Sequence, residues 1–203
     1  MNVAPVPVGS RIFDSLPFSI GGTVEEACLI RSQGYDGFVG YLGAIHADLT
    51  NAMFTAGMGV MAVTFGSAYD GPAAVKQLKT AGLPPGVTVF FDCEGKQAYN
   101  TPPAQLAAAI NDGAKCLQDA GYLAGLYLGS PQPLTSEELT DLAVTRYWHG
   151  QGRCVDRFGK LAEPLSGWCM WQMWPSVTVS GVLVDANIVG QDYRQRVPSW
   201  AVA

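Results

Sequence analysis

Residues 86–95, with the sequence GVTVFFDCEG, end an apolar segment with two carboxylates, Asp92 and Glu94, two residues apart. Side chains at i and i+2 of a strand leave on the same face, so both acids point one way and Cys93 the other. The uncharged run before Asp92 is typical of a strand buried on both faces in a parallel sheet. Because α/β folds bind ligands at the carboxyl ends of such strands, the stretch predicts an acid pair in a ligand site. Capping of the next helix, or pairing with a basic residue, is the alternative interpretation.

The length and composition are those of one globular domain spanning residues 1–203. Hydrophobic residues make up 48% of the chain and charged residues 14%, which excludes a disordered protein. Gly, Pro or a charged residue breaks every apolar run before about 18 residues, so we expect no membrane insertion. The first residues lack a basic start and an apolar core, so we expect no signal peptide and synthesis in the cytoplasm. We also expect a monomer.

The charge of the chain and the spacing of its cysteines and histidines argue against nucleic-acid binding and against a metal site. The net charge is −5 and no basic run occurs, so we expect no nucleic acid partner. The five cysteines form no CxxC pair, and His46 and His149 lie in no ligand-like spacing, so we predict no metal site. No glycine-rich phosphate motif follows any predicted strand, so we predict no cofactor.

Short runs rich in β-branched and aromatic residues alternate with helix-length segments along the whole chain. The predicted strands are residues 11–14, 37–41, 60–65, 87–92, 124–128, 144–148, 167–171 and 182–188. The predicted helices are residues 23–33, 46–56, 72–81, 103–120 and 136–142. A glycine typical of a helix C-cap closes four of these helices, at Gly34, Gly57, Gly82 and Gly121.

Eight strands in strict alternation with helices predict an α/β fold, a closed parallel (β/α)₈ TIM-like barrel. After the sixth strand the helical pattern weakens, since residues 150–166 read as a loop, so we expect lost or shortened helices in the last third. An open doubly wound sheet is the alternative, but it lacks its usual phosphate-binding loop.

Acids, aromatic rings and amides occupy the predicted strand ends, where a barrel of this kind gathers its chemistry. The four acids are Asp14, Asp92, Glu94 and Asp185. The candidate substrate contacts are Tyr41, Tyr127, Trp148, Trp171, Gln172 and Asn187. Converging carboxylates raise one another's pKa, and aromatic rings stack on the faces of sugars. The combination favours a glycosidase, although each aromatic residue could instead fill the core.

The order and spacing of these motifs resemble a known family. Phe13-Asp14, Asp92-Cys93-Glu94, Trp171-Gln172 and residues 184–187 (VDAN) are similar to the motifs of glycoside hydrolase family 25, the lysozyme-type muramidases. More closely, the whole chain resembles the related glycoside-hydrolase-like domains of unknown function in actinobacterial and phage proteins.

The resemblance implies a hydrolase of peptidoglycan or a related N-acetylated glycan. By resemblance, Glu94 is the general acid, Asp92 orients or stabilises the reacting centre, and Asp14 and Asp185 tune the pair and hold sugar hydroxyls. The resemblance also implies action at the cell wall, after phage-type release as an endolysin or within a particle.

Several mechanisms and functions remain open on the sequence. Retaining enzymes hold their carboxyls about 5 to 5.5 Å apart and inverting ones about 6.5 to 9.5 Å, and side-chain rotation at i and i+2 covers both. A substrate-assisted route, with Asp92 orienting an acetamido group, fits equally well. A family 18 chitinase motif would need acids where Val87 and Phe90 stand. The rival functions are an inactive glycan-binding or structural module and a carboxylate metal site at Asp92, Glu94 and Asp185.

Overall fold

The structure is a computed structural model that describes residues 1–15, 21–66, 69–173, 176–179 and 181–203. These residues form eleven strands and six helices. The strands are β1 Asn2–Pro5, β2 Arg11–Asp14, β3 Gly37–Tyr41, β4 Gly59–Val63, β5 Thr88–Cys93, β6 Leu123–Leu128, β7 Arg146–His149, β8 Met170–Gln172, β9 Val177–Val179, β10 Val182–Val189 and β11 Ser199–Val202. The helices are α1 Val24–Ser32, α2 Ala47–Thr55, α3 Gly71–Thr80, α4 Gly95–Asn100, α5 Pro103–Asp119 and α6 Ser136–Thr140.

Eight of the strands close into a barrel in the order β2, β3, β4, β5, β6, β7, β8 and β10, with β10 returning to β2. This closure confirms the predicted TIM-like barrel. The predicted strands match the observed barrel strands to within three residues at each end, and the predicted helices match to within two. No helix occurs between β7 and β10 among the described residues, which agrees with the expected loss of helices in the last third.

The prediction that all strands run parallel was wrong for the last one. β10 pairs antiparallel with both β8 and β2, while the other six barrel pairings are parallel. A parallel return needs a crossover of about a dozen residues or more, usually a helix. Only residues 173–181 join β8 to β10, and they include the short strand β9, which forms a hairpin with β10.

Two hydrophobic clusters hold the barrel together. The larger lies between the strands and the helices, and the smaller fills the barrel interior. The inner cluster contains Val6, Ile12, Val39, Met61, Val63, Phe90, Tyr127, Trp148, Met170, Val189 and Trp200. Because it fills the interior, the site can form only above it, at the strand ends.

Trp200, on β11, packs into the interior at the end opposite the site. β11 pairs antiparallel with β4 and with β1, so the two termini form an outer ribbon. A Cβ at Gly37 would lie 2.6 Å from the Trp200 ring, and one at Gly59 would lie closer still. The absence of side chains at these two strand starts therefore creates the space for the indole.

No helix within the described ranges has both the length and the apolar character needed to cross a membrane.

Candidate active site

The four predicted acids come together at one end of the barrel. Asp14 ends β2 and is paired across the sheet with Asp185 on the antiparallel β10. Asp92 lies near the end of β5, and Glu94 follows it on the same face. The charges of Asp185, Glu94 and Asp92 all raise the pKa of Asp14, so Asp14 lies within electrostatic reach of the other three carboxylates. Strands distant in sequence thus build one acidic site.

Asp14 lies in the floor of the site and is buried. Burial raises its pKa to about 8, although a hydrogen bond from Asn187 opposes the shift. Asn187 Nδ2 donates to Asp14 Oδ2 at 2.7 Å, and Asn187 Oδ1 accepts from Trp148 Nε1 at 3.0 Å. The chain Trp148–Asn187–Asp14 therefore fixes this carboxyl group, which stays largely protonated at neutral pH.

Asp92 is also buried, one layer below Glu94. Its backbone N–H donates to Thr64 Oγ1 at 3.0 Å. Its Oδ1 atom is buried without a hydrogen-bond partner among the described residues. Burial raises the pKa of Asp92 to about 7, the charge of Glu94 adds to the rise, and a hydrogen bond from the Gly66 backbone opposes it. Asp92 thus titrates near neutral pH.

Glu94 occupies the N-cap position of α4, yet its side chain makes no capping hydrogen bond. The interpretation of Glu94 as a capping acid is therefore wrong. Although the residue as a whole is exposed, partial burial of its carboxyl group raises its pKa. A hydrogen bond with Tyr127 opposes this shift, and the charge of Asp185 adds to it.

A cavity of about 800 Å³ opens above the acids. Its lining is polar and aromatic, and it includes five of the predicted site residues, Glu94, Asp185, Tyr41, Tyr127 and Gln172. The other lining residues within the described part of the chain are Gly129, Ser130, Gln151, Gly152 and Ser176. This volume is in the range of small-molecule binding sites.

Hydrogen bonds fix several of the lining side chains. Tyr127 Oη donates to Gln172 Oε1 at 2.8 Å. Gln151 Nε2 donates to Asp185 Oδ1 at 3.1 Å, and the Ser176 hydroxyl also donates to this oxygen. These hydrogen bonds connect β6 with β8, and they connect the loop after β7 with β10.

The tyrosines supply neutral hydroxyls and ring faces to the site. Burial raises the pKa of Tyr41 and of Tyr127, and the surrounding carboxylates raise it further, so both phenols stay protonated. The ring of Tyr41 contacts the exposed ring of Phe65 edge to face, with centroids 5.9 Å apart. Phe65 therefore extends the aromatic surface next to the cavity.

Three predicted substrate contacts do not line the cavity. Trp171 lies between Met170 and Gln172 on β8, so it points out of the barrel, where it packs against the outer cluster and over Gly190. Trp148 belongs to the inner cluster, and Asn187 is buried beneath the acids. The prediction that these three residues contact substrate is corrected accordingly.

Sequence reasoning missed Gln151, Ser176, Ser130 and the glycines Gly129 and Gly152, which come from loops beyond the strand ends. Only the position of Ser130 and Gly129, directly after an apolar strand, gave a signal in the sequence.

Within the described part of the chain, no group of three or more His, Cys, Asp and Glu residues is arranged to hold a metal ion.

No protein-family model matches the sequence, and no curated protein matches it either. Solved structures match over nearly the whole chain. The Tat-secreted protein Rv2525c of Mycobacterium tuberculosis has a TM-score of 0.64 at 15% identity, covering 95% of this chain and 99% of that one. The glycosyl hydrolase 25 GHIP of Streptococcus pneumoniae has a TM-score of 0.57 at 13% identity, covering 89% and 87%.

A family 25 lysozyme from Aspergillus fumigatus gives a TM-score of 0.55 at 15% identity, covering 90% of this chain and 95% of that one. The fold is like that of glycoside hydrolase family 25. This confirms, at the level of fold, the resemblance drawn from the short motifs.

Proposed function

We propose that the protein is a glycoside hydrolase that cleaves β-1,4 bonds between N-acetylated amino sugars in peptidoglycan. The observation that carries the proposal is the group of four carboxylates, with raised pKa values at Asp14, Asp92 and Glu94, at the mouth of a family 25-like barrel. Acid-catalysed cleavage of a glycosidic bond needs a carboxyl group that keeps its proton near neutral pH. We infer that the site of action is the cell wall.

Glu94 is the general acid of this proposal. It lines the cavity, so its carboxyl group can reach a glycosidic oxygen, whereas Asp92 and Asp14 lie below it. Its raised pKa favours the protonated form that an acid must have before it donates. The hydrogen bond with Tyr127 holds the carboxyl group in place.

Asp92 supports the reacting centre from beneath Glu94. Once ionised, it stabilises the positive charge that develops on the sugar ring, or it orients an acetamido group that acts as internal nucleophile. Its pKa of about 7 means that Asp92 gains and loses its proton near neutral pH beside Glu94, so the two acids titrate as a coupled pair. Retaining, inverting and substrate-assisted routes all pair an acid with a second carboxylate, which acts as nucleophile, as base or as the group that orients the acetamido group, respectively.

Asp185 and the aromatic residues bind the sugar. Asp185 lines the cavity and accepts hydrogen bonds there, so it suits a sugar hydroxyl. The ring of Tyr41 and the exposed ring of Phe65 offer faces for stacking on the C–H faces of the glycan. Asp14, protonated and buried, acts on the charge balance of the site rather than on the substrate.

The test compares wild type with Glu94→Gln on purified peptidoglycan and on chitin oligomers. We expect wild type to release reducing ends and Glu94→Gln to lose at least about 100-fold in rate, with an unchanged melting temperature. Glu25→Gln, a change at an exposed glutamate in the first turn of α1, is the matched control and should retain full activity.

Release of no reducing ends by folded wild type would overturn the hydrolase proposal. If the same protein still bound peptidoglycan in a pull-down, the rival function, a glycan-binding module, would take its place.

A further inference from the structure

Gly129, the first residue after β6, lies directly against the side chain of Glu94. A Cβ built at Gly129 would lie 2.5 Å from Glu94 Oε2 and closer still to Glu94 Cβ. Real Cβ atoms do not approach other atoms this closely, and Glu94 Cβ is fixed to the backbone. The space that a side chain at position 129 would need is therefore occupied by the proposed acid.

The backbone does not explain this glycine. Gly129 is absent from the residues with φ in the left-handed region, where glycine is favoured for its conformation. Its N–H donates to the Cys93 carbonyl at 3.3 Å, as in a continuing ladder between β5 and β6. Another residue could adopt this backbone, so the constraint comes from the neighbouring side chain.

Gly150, the first residue after β7, lies against Tyr127 and the backbone of β6. A Cβ at Gly150 would lie 2.6 Å from the Leu128 carbonyl oxygen, 2.8 Å from Tyr127 Oη and 3.0 Å from Cζ. The φ of Gly150 is likewise outside the left-handed region. The glycine leaves room for the phenol hydroxyl at the point where it hydrogen-bonds Gln172.

We propose that Gly129 and Gly150 form a slot that positions Glu94 and Tyr127 against each other, which makes both glycines positioning residues for the general acid. The assignment of Glu94 as general acid rests on the proposed function, whereas the slot rests on geometry alone. Gly129 borders the cavity but has no side chain that could act on a substrate, and each glycine leaves free the space that the neighbouring Glu94 or Tyr127 side chain occupies.

Gly125 provides a matched comparison on the same strand. A Cβ at Gly125 would lie 2.6 Å from the ring of Phe90, which belongs to the inner cluster below the site. An added methyl group at position 125 therefore overpacks the core, while one at position 129 overpacks the acid. The two substitutions are chemically identical and differ only in the neighbour that must move.

The first test is a thermal double-substitution cycle that needs no activity. Gly129→Ala should lower the melting temperature of the otherwise unchanged protein by about 3 to 10 °C, as overpacking does. In a protein that also carries Glu94→Gly, Gly129→Ala should lower the melting temperature by less than half as much, because the Cβ of residue 94 is no longer there to collide with. An equal cost in both backgrounds would overturn the slot. If Gly129→Ala alone does not fold, recovery of folding in Glu94→Gly/Gly129→Ala supports it, and failure to recover overturns it.

The second test separates positioning from packing by kinetics on peptidoglycan. Gly129→Ala should lower kcat by about 10- to 100-fold with KM changed less than about threefold, because the acid is displaced while the cleft still binds glycan. Gly125→Ala should lower the melting temperature and leave kcat near the wild-type value. An equal loss of kcat in both variants would contradict the positioning role. If wild type shows no turnover, the proposed function fails, and the thermal cycle still decides whether the slot exists.

Discussion

The raised pKa of the buried Asp14 lowers the free energy of unfolding at neutral and alkaline pH. Asp14 is buried with one hydrogen bond from Asn187 and with three other carboxylates nearby. Its pKa of about 8 in the folded protein compares with 3.8 for an unperturbed side chain. The folded state therefore holds a proton that the unfolded chain releases between these values. Linkage then requires stability to fall as the pH rises from about 4 to about 8.

Asp14→Asn removes this cost, because the amide is neutral at every pH. We expect the variant to exceed wild type in free energy of unfolding by on the order of 5 kcal/mol at pH 8, with the difference shrinking toward zero near pH 4. Urea unfolding at four pH values measures it. The control is Asp119→Asn, a change at an acid exposed on α5. A gap that grows toward acid pH would refute the assignment of a raised pKa to Asp14.

Tyr127 adjusts the acid from the other side. Tyr127 has one hydroxyl proton, which it donates either to Gln172 Oε1 or to the ionised Glu94 carboxylate; donation to Glu94 lowers the pKa of that acid against the effect of burial, so loss of the hydroxyl raises it. A general acid must hold its proton, so activity falls as the pH rises through its pKa. Tyr127→Phe should therefore move the alkaline limb of the kcat/KM profile to higher pH.

The pH profile of peptidoglycan hydrolysis measures the position of this limb. Tyr193→Phe, which removes a hydroxyl that donates to Glu163 on the exposed surface, is the control and should leave the limb in place. A limb that stays in place or moves to lower pH in Tyr127→Phe would exclude the role assigned to this tyrosine.

Among the secondary-structure elements, the positions of the strands were predicted better than their directions or the orientations of their side chains. Apolar runs bounded by glycines indicated the barrel strands, but periodicity carries no strand direction. The direction of β10 follows from the nine residues that join it to β8, too few for a helical crossover.

Strand alternation also explains the wrong substrate contacts. Trp171 and Gln172 are neighbours on β8, and adjacent residues of a strand cannot face the same cavity. Gln172 faces it, so Trp171 faces outward. The loop residues Gln151 and Ser176 were beyond prediction because their positions depend on tertiary packing of segments without a periodic pattern.

Trp200, on strand β11 of the outer ribbon, should contribute strongly to stability. Trp200 is nearly buried and fills the barrel floor over Gly37 and Gly59. Trp200→Ala should cost about 3 to 5 kcal/mol of unfolding free energy, since it empties a large volume that the rigid barrel cannot close. Chemical denaturation measures the loss. Tyr193→Ala, at an exposed ring, should cost less than about 1 kcal/mol, and an equal cost at both positions would contradict this packing.

At the scale of the whole molecule, a barrel closed by an antiparallel strand brings Asp14 and Asp185 into register beside Asp92 and Glu94. The family 25-like fold and the acid-lined cavity agree with the motifs that first indicated a sugar site. A fold at this level of identity does not fix chemistry, so the function depends on these side chains.

If this cavity cleaves the glycan strand, digestion creates a new sugar chain end, and the chemical identity of that end shows whether cleavage has occurred. Peptidoglycan digested with wild-type protein is reduced with borohydride and analysed by mass spectrometry. Digestion with wild type should give new reduced ends that carry N-acetylated amino sugars, at muramic acid, and digestion with Glu94→Gln should give none. Digests without new reduced sugar ends, or the same ends from both proteins, would contradict it.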